Sequence, residues 1–400
     1  MSEIAIIGGG ASGMLCAAAI KLNNPKIKVT VFERLPKVLK KLSVTGNGKC
    51  NITNLNCSAA DYFEASDFVT PSIEEYTPQS NIEFFKDIGL FCVCGQEGRV
   101  YPSSYSAYSV VTILSNQAVS LGVKVLTDVF VDEIDIKNHK YILNGKYAFD
   151  SVVIACGGKA APKFGTDGSS YKLLKSLGHK IANPVPALVS LNAENFPHSL
   201  KGIRSVCSAS LLIDGEKLYC ETGEVQFTEY GLSGIPIMQM SRLVSKAESE
   251  NIKIKLDCLP EFSEKDICNL LGSLKGEFSA EDAVNGILHR QLGNYIMSVC
   301  EVKKDMLFNR LTDRKIAQLA CLIKNLEVKI ISSRGFEFAQ VTSGGAELSE
   351  FNKNTMESKR HKGLYAIGEA LNVDGPCGGY NLQWAWSSAR TAAKAIAKEF

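Results

Sequence analysis

No apolar run in this chain of 400 residues reaches the ~18 residues of a membrane-spanning helix. The first strand-like segment begins within three residues of the N-terminus, which leaves no room for a signal peptide, and a cytoplasmic protein is expected. Thirteen cysteines contain no C-x-x-C pair, so neither a disulfide framework nor a zinc site is signalled. Five histidines, none at metal-ligand spacing, add no case for a metal. Charge of one sign is also missing. A formal net charge of +2 gives no electrostatic reason to invoke nucleic acid or an anionic membrane, and a small-molecule substrate is the expected partner. Internal repeats, low-complexity tracts and long linkers are absent as well.

What is present is 45% apolar residues in a chain too long for one core, which predicts two or three domains. Glycine is concentrated in two places, one near each end. Near the start, the apolar strand Ile4–Ile7 runs into Gly8-Gly9-Gly10-Ala11-Ser12-Gly13 and then into an alanine-rich helix. A second strand, Lys28–Phe32, ends in Glu33, followed by Arg34. Strand, G-x-G-x-x-G turn, helix, strand and acid in this register predict a dinucleotide site. Gly8 permits the turn, Gly10 gives a pyrophosphate access to the backbone, and Gly13 brings helix onto strand. The N–H groups around Ala11 and Ser12 face the phosphates, and Glu33 accepts from ribose hydroxyls.

Between the two signatures the pattern changes twice. Short strands with turn residues between them run from about 188 to 257, helical periodicity with buried faces fills 262–326, and strand-like segments return at 328–331 and 336–341. Further strands are expected at 123–126, 129–134, 217–220 and 224–227, and a last helix from Asn381 to about Lys398 burying Leu382, Trp386, Ala389, Ala393 and Ile396. The second signature follows the buried strand 364–367: Gly368-Glu369, then Asp374-Gly375, then Gly378-Gly379-Tyr380-Asn381-Leu382 at a helix start. A chain that leaves a nucleotide domain and returns more than 150 residues later is typical of flavoproteins. Glu369 and Asp374 are expected near ribityl or phosphate hydroxyls. The helix N-terminus, with Asn381 as its cap, is expected at the flavin pyrimidine edge, where a helix dipole contributes roughly 0.3–2 kcal/mol.

The blocks Thr45-Gly46-Asn47-Gly48-Lys49-Cys50-Asn51, Phe227-Thr228-Glu229-Tyr230-Gly231, Val341-Thr342-Ser343-Gly344-Gly345 and Gly378-Gly379-Tyr380-Asn381 occur in the order of one bacterial FAD-dependent flavoprotein family. The chain resembles that family, in which aminoacetone oxidase and a bile-acid double-bond reductase have been placed, over essentially its whole length. The resemblance implies an α/β protein: a Rossmann-like FAD-binding domain (1–187 and 347–400), a β-barrel-like insert (188–257 and 327–346) and a small helical insert (258–326), with non-covalent FAD. It also implies that Lys41 and the loop Thr45, Gly46, Gly48, Cys50, Asn51 line the flavin and pyrophosphate. Val131 would meet the adenine, and Ala155, Gly157 and Gly158 would close the nucleotide side. The stretch Phe164-Gly165-Thr166-Asp167-Gly168 departs from the family pattern, and its contacts stay open.

For catalysis the residues leave alternatives. Tyr380, Tyr230 and Arg99 are candidates for proton donation or substrate binding, His179 is a candidate general acid set against a helix-end histidine, and Cys50 with Cys377 a candidate redox pair set against inert fillers. The expected activity is hydride exchange between flavin N5 and a small or flat substrate in a cavity between the FAD domain and the inserts, with NADH or NADPH as candidate electron donor. Reduction of a conjugated double bond, oxidation of an amine by dioxygen, and a non-catalytic redox sensor are the three readings carried forward.

Overall fold

The computed structural model describes residues 2–274 and 277–400; Met1, and Lys275 and Gly276 of the expected helical insert, lie outside the described residues. The chain divides into two compact units. One comprises Ser2–Pro186 and Ala339–Phe400, the other Ala187–Phe338.

The first unit is built on a five-stranded sheet ordered Leu364–Ala366, Ser151–Ile154, Glu3–Ile7, Lys28–Phe32, Lys124–Leu126, all parallel. Ile4–Ile7 and Ser151–Ile154 are buried throughout, as continuous apolar runs in a sheet covered on both faces must be. The helix Ala11–Asn23 is buried from Ser12 to Ile20, and its small alanines let the last helix, Tyr380–Glu399, pack along it. First and last helices, separated by more than 350 residues of sequence, thus share one core. Two small antiparallel sheets are attached: Thr53–Asn54 with Arg99–Pro102 and Cys92–Cys94, and the meander Ile134–Lys137, Lys140–Leu143, Tyr147–Phe149.

In the second unit six strands close a barrel in the order Leu191–Ala193, Gly231–Ser233, Glu216–Phe227, Arg204–Ile213, Ile252–Asp257, Leu326–Ser333. Alternation sends Cys207, Ala209, Leu211, Ile252, Ile254 and Leu256 inward. Between the last two barrel strands come helices Glu264–Ser273, Ala280–Asn285, Arg290–Val299 and Asp313–Lys324, which share the barrel's apolar cluster. Three of the four begin at a Ser or Thr whose side chain accepts from the third helical N–H, as Ser263 does from Asp266.

Four expectations differ from the observed elements. Residues 129–133 form no strand: the N–H of Val129 is taken by the Glu33 carbonyl and those of Asp132 and Glu133 by Asn144 Oδ1, so the segment meets its partners singly rather than in a ladder. The two short strands expected at 217–220 and 224–227 are one, Glu216–Phe227, because Gly223 is not a turn but the place where Pro236 of the next helix packs at 3.0 Å from a would-be Cβ. The stretch 336–340 is not a strand, and Val341–Ala346, expected in the barrel, instead pairs with Ile181–Ala187 in the first unit. The last helix starts one residue earlier than expected and leaves Leu382 half-exposed, while Trp384 and Gln383 are buried in its place.

Candidate functional site

The turn after the first strand is shaped by close backbone approach. Gly8 has φ +111°, and a Cβ there would lie 2.4 Å from the Ala155 carbonyl oxygen; a Cβ on Gly13 would lie 1.9 Å from the carbonyl oxygen of Gly8. Both positions therefore exclude a side chain for internal reasons. Gly10 differs: its backbone is ordinary (φ −79°) and a Cβ would meet nothing within 4 Å. The open space lies outside the protein's own packing, in front of the helix N-terminus. There Gly10 is the cap without a side-chain acceptor, and the N–H groups of Ala11, Ser12 and Gly13 begin the helix. Such a terminus attracts an anion.

Glu33 closes the next strand, buried to 9% exposure. Its Oε2 accepts from Gly9 N–H at 2.9 Å and its Oε1 from Leu35 N–H at 2.8 Å. Burial pushes its carboxyl upward, with those two N–H donors and Arg34 opposing. The carboxylate thus braces the glycine turn, and each oxygen keeps a lone pair for a ligand hydroxyl. Arg34 pairs with Asp167 at 2.6 Å and covers the Phe130 ring at 4.5 Å. The divergent 164–168 stretch is therefore tied to the same corner. Burial would raise the Asp167 carboxyl, but Arg34 together with hydrogen bonds from Ser169 holds the group below the usual range. Val131, beside Phe130, is buried. Glu33→Ala is expected to lower unfolding stability by about 1–3 kcal/mol, because two backbone donors lose their acceptor; urea unfolding with an unchanged midpoint would show that the carboxylate is not a brace.

The second signature meets the first directly. Gly368, at φ +61°, would place a Cβ 2.8 Å from Ser12 Oγ. Glu369 accepts from Lys41 Nζ at 3.0 Å and from Thr342 N–H at 2.6 Å, while Thr342 Oγ1 accepts from the N–H groups of Lys159 and Ala160 at 2.8 and 3.0 Å. A Cβ on Gly157 would stand 3.9 Å from Glu369 Oε2, and one on Gly158 2.5 Å from Thr342 Oγ1. Lys41, Gly157, Gly158, Gly368 and Glu369 are thereby assembled around Thr342, a residue that sequence reasoning did not select although it stands in a family block. Asp374 is buried nearby in the sequence of this loop.

The Thr45–Asn51 loop is a string of left-handed residues, Gly46, Asn47, Gly48 and Cys50 among them, closed by Cys50 N–H donating to the Thr45 carbonyl at 3.0 Å. Asn51 and Thr53 lie against the last signature: a Cβ on Gly379 would meet the Thr53 carbonyl oxygen at 2.5 Å and Asn51 Oδ1 at 3.0 Å. Asn381 does not cap the last helix. Gly379 occupies that place without a side-chain bond, and Asn381 instead clamps the preceding loop, accepting from Gly375 N–H at 2.9 Å and donating to the Gly375 and Pro376 carbonyls at 2.9 and 3.1 Å.

Among the catalytic candidates, Tyr380 and Arg99 come together in the first unit and are taken up below. Tyr230 belongs to the barrel unit, where its ring lies 3.9 Å from the Arg334 guanidinium. His179 is not a general acid at a surface. It is buried, stacked on Phe351 at 5.0 Å, with Nδ1 3.3 Å from the Leu174 carbonyl and Nε2 2.9 Å from Ser358 Oγ. Burial lowers its basicity, so it is a neutral pin between two elements. Cys50 is fully buried and its thiol is pushed up to about 12 by burial, which makes it a filler rather than a redox thiolate. Among the described residues no helix is long and apolar enough to cross a membrane.

Comparison with known proteins matches this arrangement. Residues 2–395 match the family model described as HI0933-like protein Rossmann domain. A 3-dehydro-bile acid delta(4,6)-reductase from Clostridium scindens is 33% identical over 408 aligned residues, covering 100% of both chains. A ribosomal RNA dihydrouridine synthase from Haemophilus influenzae is 28% identical, covering 100% of this chain and 99% of the other. Of solved structures, the 3-ketosteroid delta1-dehydrogenase from Sterolibacterium denitrificans shares the fold at TM-score 0.52 and 13% identity, covering 100% of both chains. The E. coli quinol fumarate reductase chain does so at TM-score 0.51 and 14% identity, covering 99% of this chain and 70% of that one. With its Rossmann sheet, closed barrel and a family match that runs from residue 2 to 395, the chain belongs to the HI0933-like Rossmann-domain family.

Proposed function

We propose that the protein binds one FAD non-covalently in its first unit and reduces a carbon–carbon double bond conjugated to a carbonyl, with NADH or NADPH as electron source. The observation that carries the cofactor reading is the open space at Gly10 in front of an uncapped helix N-terminus, with Glu33 braced beside it. A dinucleotide fits these groups: N–H donors for the pyrophosphate, carboxylate lone pairs for the ribose. Gly8, Gly10, Ala11, Ser12, Gly13, Glu33 and Arg34 would hold the adenosine and phosphate half, with Val131, Ala155, Gly157 and Gly158 closing it. Lys41, the Thr45–Asn51 loop, Glu369, Asp374 and residues 379–382 would hold the flavin half. When bound, FAD supplies two-electron transfer between donor and substrate. The chain's own contribution is orientation, exclusion of water and placement of charge.

The double-bond reading is supported by the chemistry in the relatives' names. A 3-oxo group with 4,6 unsaturation and the uracil ring of uridine both present an alkene in conjugation with a carbonyl. A steroid-like enone is the first reading, on the 33% identity. A uridine in RNA is the second, favoured by two full-length relatives named as ribosomal RNA dihydrouridine synthases.

The test is direct. Denatured protein is expected to release FAD rather than FMN, and the holoprotein to oxidise NADH or NADPH anaerobically only when a 3-oxo-4-ene steroid or a uridine-containing ribosomal RNA is supplied, with the saturated product formed. Steady turnover with aminoacetone and dioxygen would assign an oxidase instead. A flavin reduced once without turnover on any of these would assign a sensor.

A further inference from the structure

We propose that Tyr380 donates the proton that completes double-bond reduction and that Arg99 holds the substrate's carbonyl oxygen, both positioned by Asn54; this rests on the reductase reading above. Tyr380 opens the last helix directly after Gly378 and Gly379, at φ +114° and +106°, so the chain turns sharply to present it. Its backbone is fixed, since the buried Tyr62 hydroxyl donates to its carbonyl at 2.8 Å, but its ring remains half-exposed. Arg99 begins the short strand Arg99–Pro102, opposite Asn54 in the ladder. Its Nε lies 3.4 Å from the position of a Cβ on Gly378, two residues before Tyr380.

One side chain ties the two loops. Asn54 Nδ2 donates to the Gly378 carbonyl at 3.0 Å and to the Glu97 carbonyl at 3.1 Å, fixing the segment that carries Tyr380 against the turn that carries Arg99. Arg99 itself pairs with Glu97 at 2.5 Å, but the Glu97 side chain is 71% exposed, so the pair is weak and a substrate oxygen can take the carboxylate's place. A cation and a phenol on two segments tied together by Asn54 are the two groups that conjugate reduction needs.

The step balances as follows. With the proposed FAD bound and reduced by the dihydronicotinamide, a hydride would be supplied to the carbon β to the carbonyl. The π pair moves onto the carbonyl oxygen, where Arg99 offsets the charge. The enolate returns that pair to the α carbon as it takes the Tyr380 O–H proton, and water reprotonates the phenolate. Tyr380 must be neutral to act. Burial raises its phenol, Asp61 and Cys57 act in the same direction, and Arg99 opposes them.

Y380F is the decisive variant. Enone reduction is expected to slow about 100-fold or more, well beyond any change in the rate of flavin reduction by NADH or NADPH measured in the same variant. R99Q is expected to raise KM for the carbonyl substrate, with R99K restoring part of it. Turnover of Y380F within about threefold of wild type, or loss of FAD from it, overturns the assignment. A second readout needs no turnover: alkaline titration of tyrosinate absorbance, with Y380F as the subtraction, should place the Tyr380 transition higher in R99Q and lower in D61N. A transition that moves in neither variant overturns the pairing. A wild-type holoprotein that reduces no conjugated alkene defeats the reductase reading instead, and the titration still decides whether the pair exists.

Discussion

Replacing Gly10 with valine is expected to give a protein that folds with close to wild-type stability and is colourless when purified. The Gly10 backbone lies in the ordinary extended region and a Cβ there touches nothing within 4 Å, so the fold has no objection to a side chain. That space is where the proposed pyrophosphate would approach the N–H groups of residues 11–13. Circular dichroism and urea unfolding should match wild type, while FAD released on denaturation falls below detection. The contrasting change is Gly13→Ala, where the new methyl would stand 1.9 Å from the Gly8 carbonyl oxygen and the turn itself must break. If Gly10→Val keeps stoichiometric FAD, the nucleotide site lies elsewhere in the molecule.

Trp386→Ala is expected to destabilise the first unit by about 3–5 kcal/mol, the range for removing a large buried aromatic. The indole is fully buried, packs edge-on to Phe85 at 5.2 Å, and donates to the Ile52 carbonyl at 2.9 Å. That bond anchors the last helix to the segment leading from the Thr45–Asn51 loop into Thr53 and Asn54. The loss should therefore appear both as a lower urea midpoint and as weaker FAD retention at unchanged temperature. Trp386→Phe should recover most of the packing but leave the Ile52 carbonyl without its donor, at a cost of about 1–3 kcal/mol. A Trp386→Ala protein with wild-type unfolding would mean that the helix is held by other contacts.

Read from residues alone, the glycine turn, the two flanking strands, the helix that follows and the acid at position 33 were all legible, because each depends on a local rule. Period-2 and period-3.6 burial, φ > 0 glycines and a strand ending in a carboxylate leave marks within a few residues of themselves. A strand-rich stretch followed by a helical one was legible for the same reason, as a change of period along the chain, whereas closure of the strands into a barrel was implied only by the family resemblance. The first boundary to fail was Val341–Ala346, a fully buried strand of small residues whose composition suits a barrel as well as it suits its actual partner, Ile181–Ala187. Nothing local distinguishes the two.

Only the tertiary structure decided which polar side chains do what. The last helix looked amphipathic about Leu382, yet it buries Gln383, which accepts from Thr53 Oγ1 at 2.6 Å and donates to the Tyr76 carbonyl at 2.7 Å. Such partners lie more than 300 residues away and obey no period. No local period announces Thr342 as the hub of Glu369 and the 157–160 turn either, or Asp167 on Arg34, Asn54 between two loops, and His179 as a buried pin. Asn381 is the sharpest case. Its place at a helix start predicted a cap, but a positive-φ Gly379 already turns the chain into the helix, and the amide is free to clamp Gly375 and Pro376. Sequence determined where the backbone must bend and which faces must be buried, since those are properties of short stretches. Long-range hydrogen bonding determined the site's walls, since a buried polar group takes whichever partner the completed fold puts within reach.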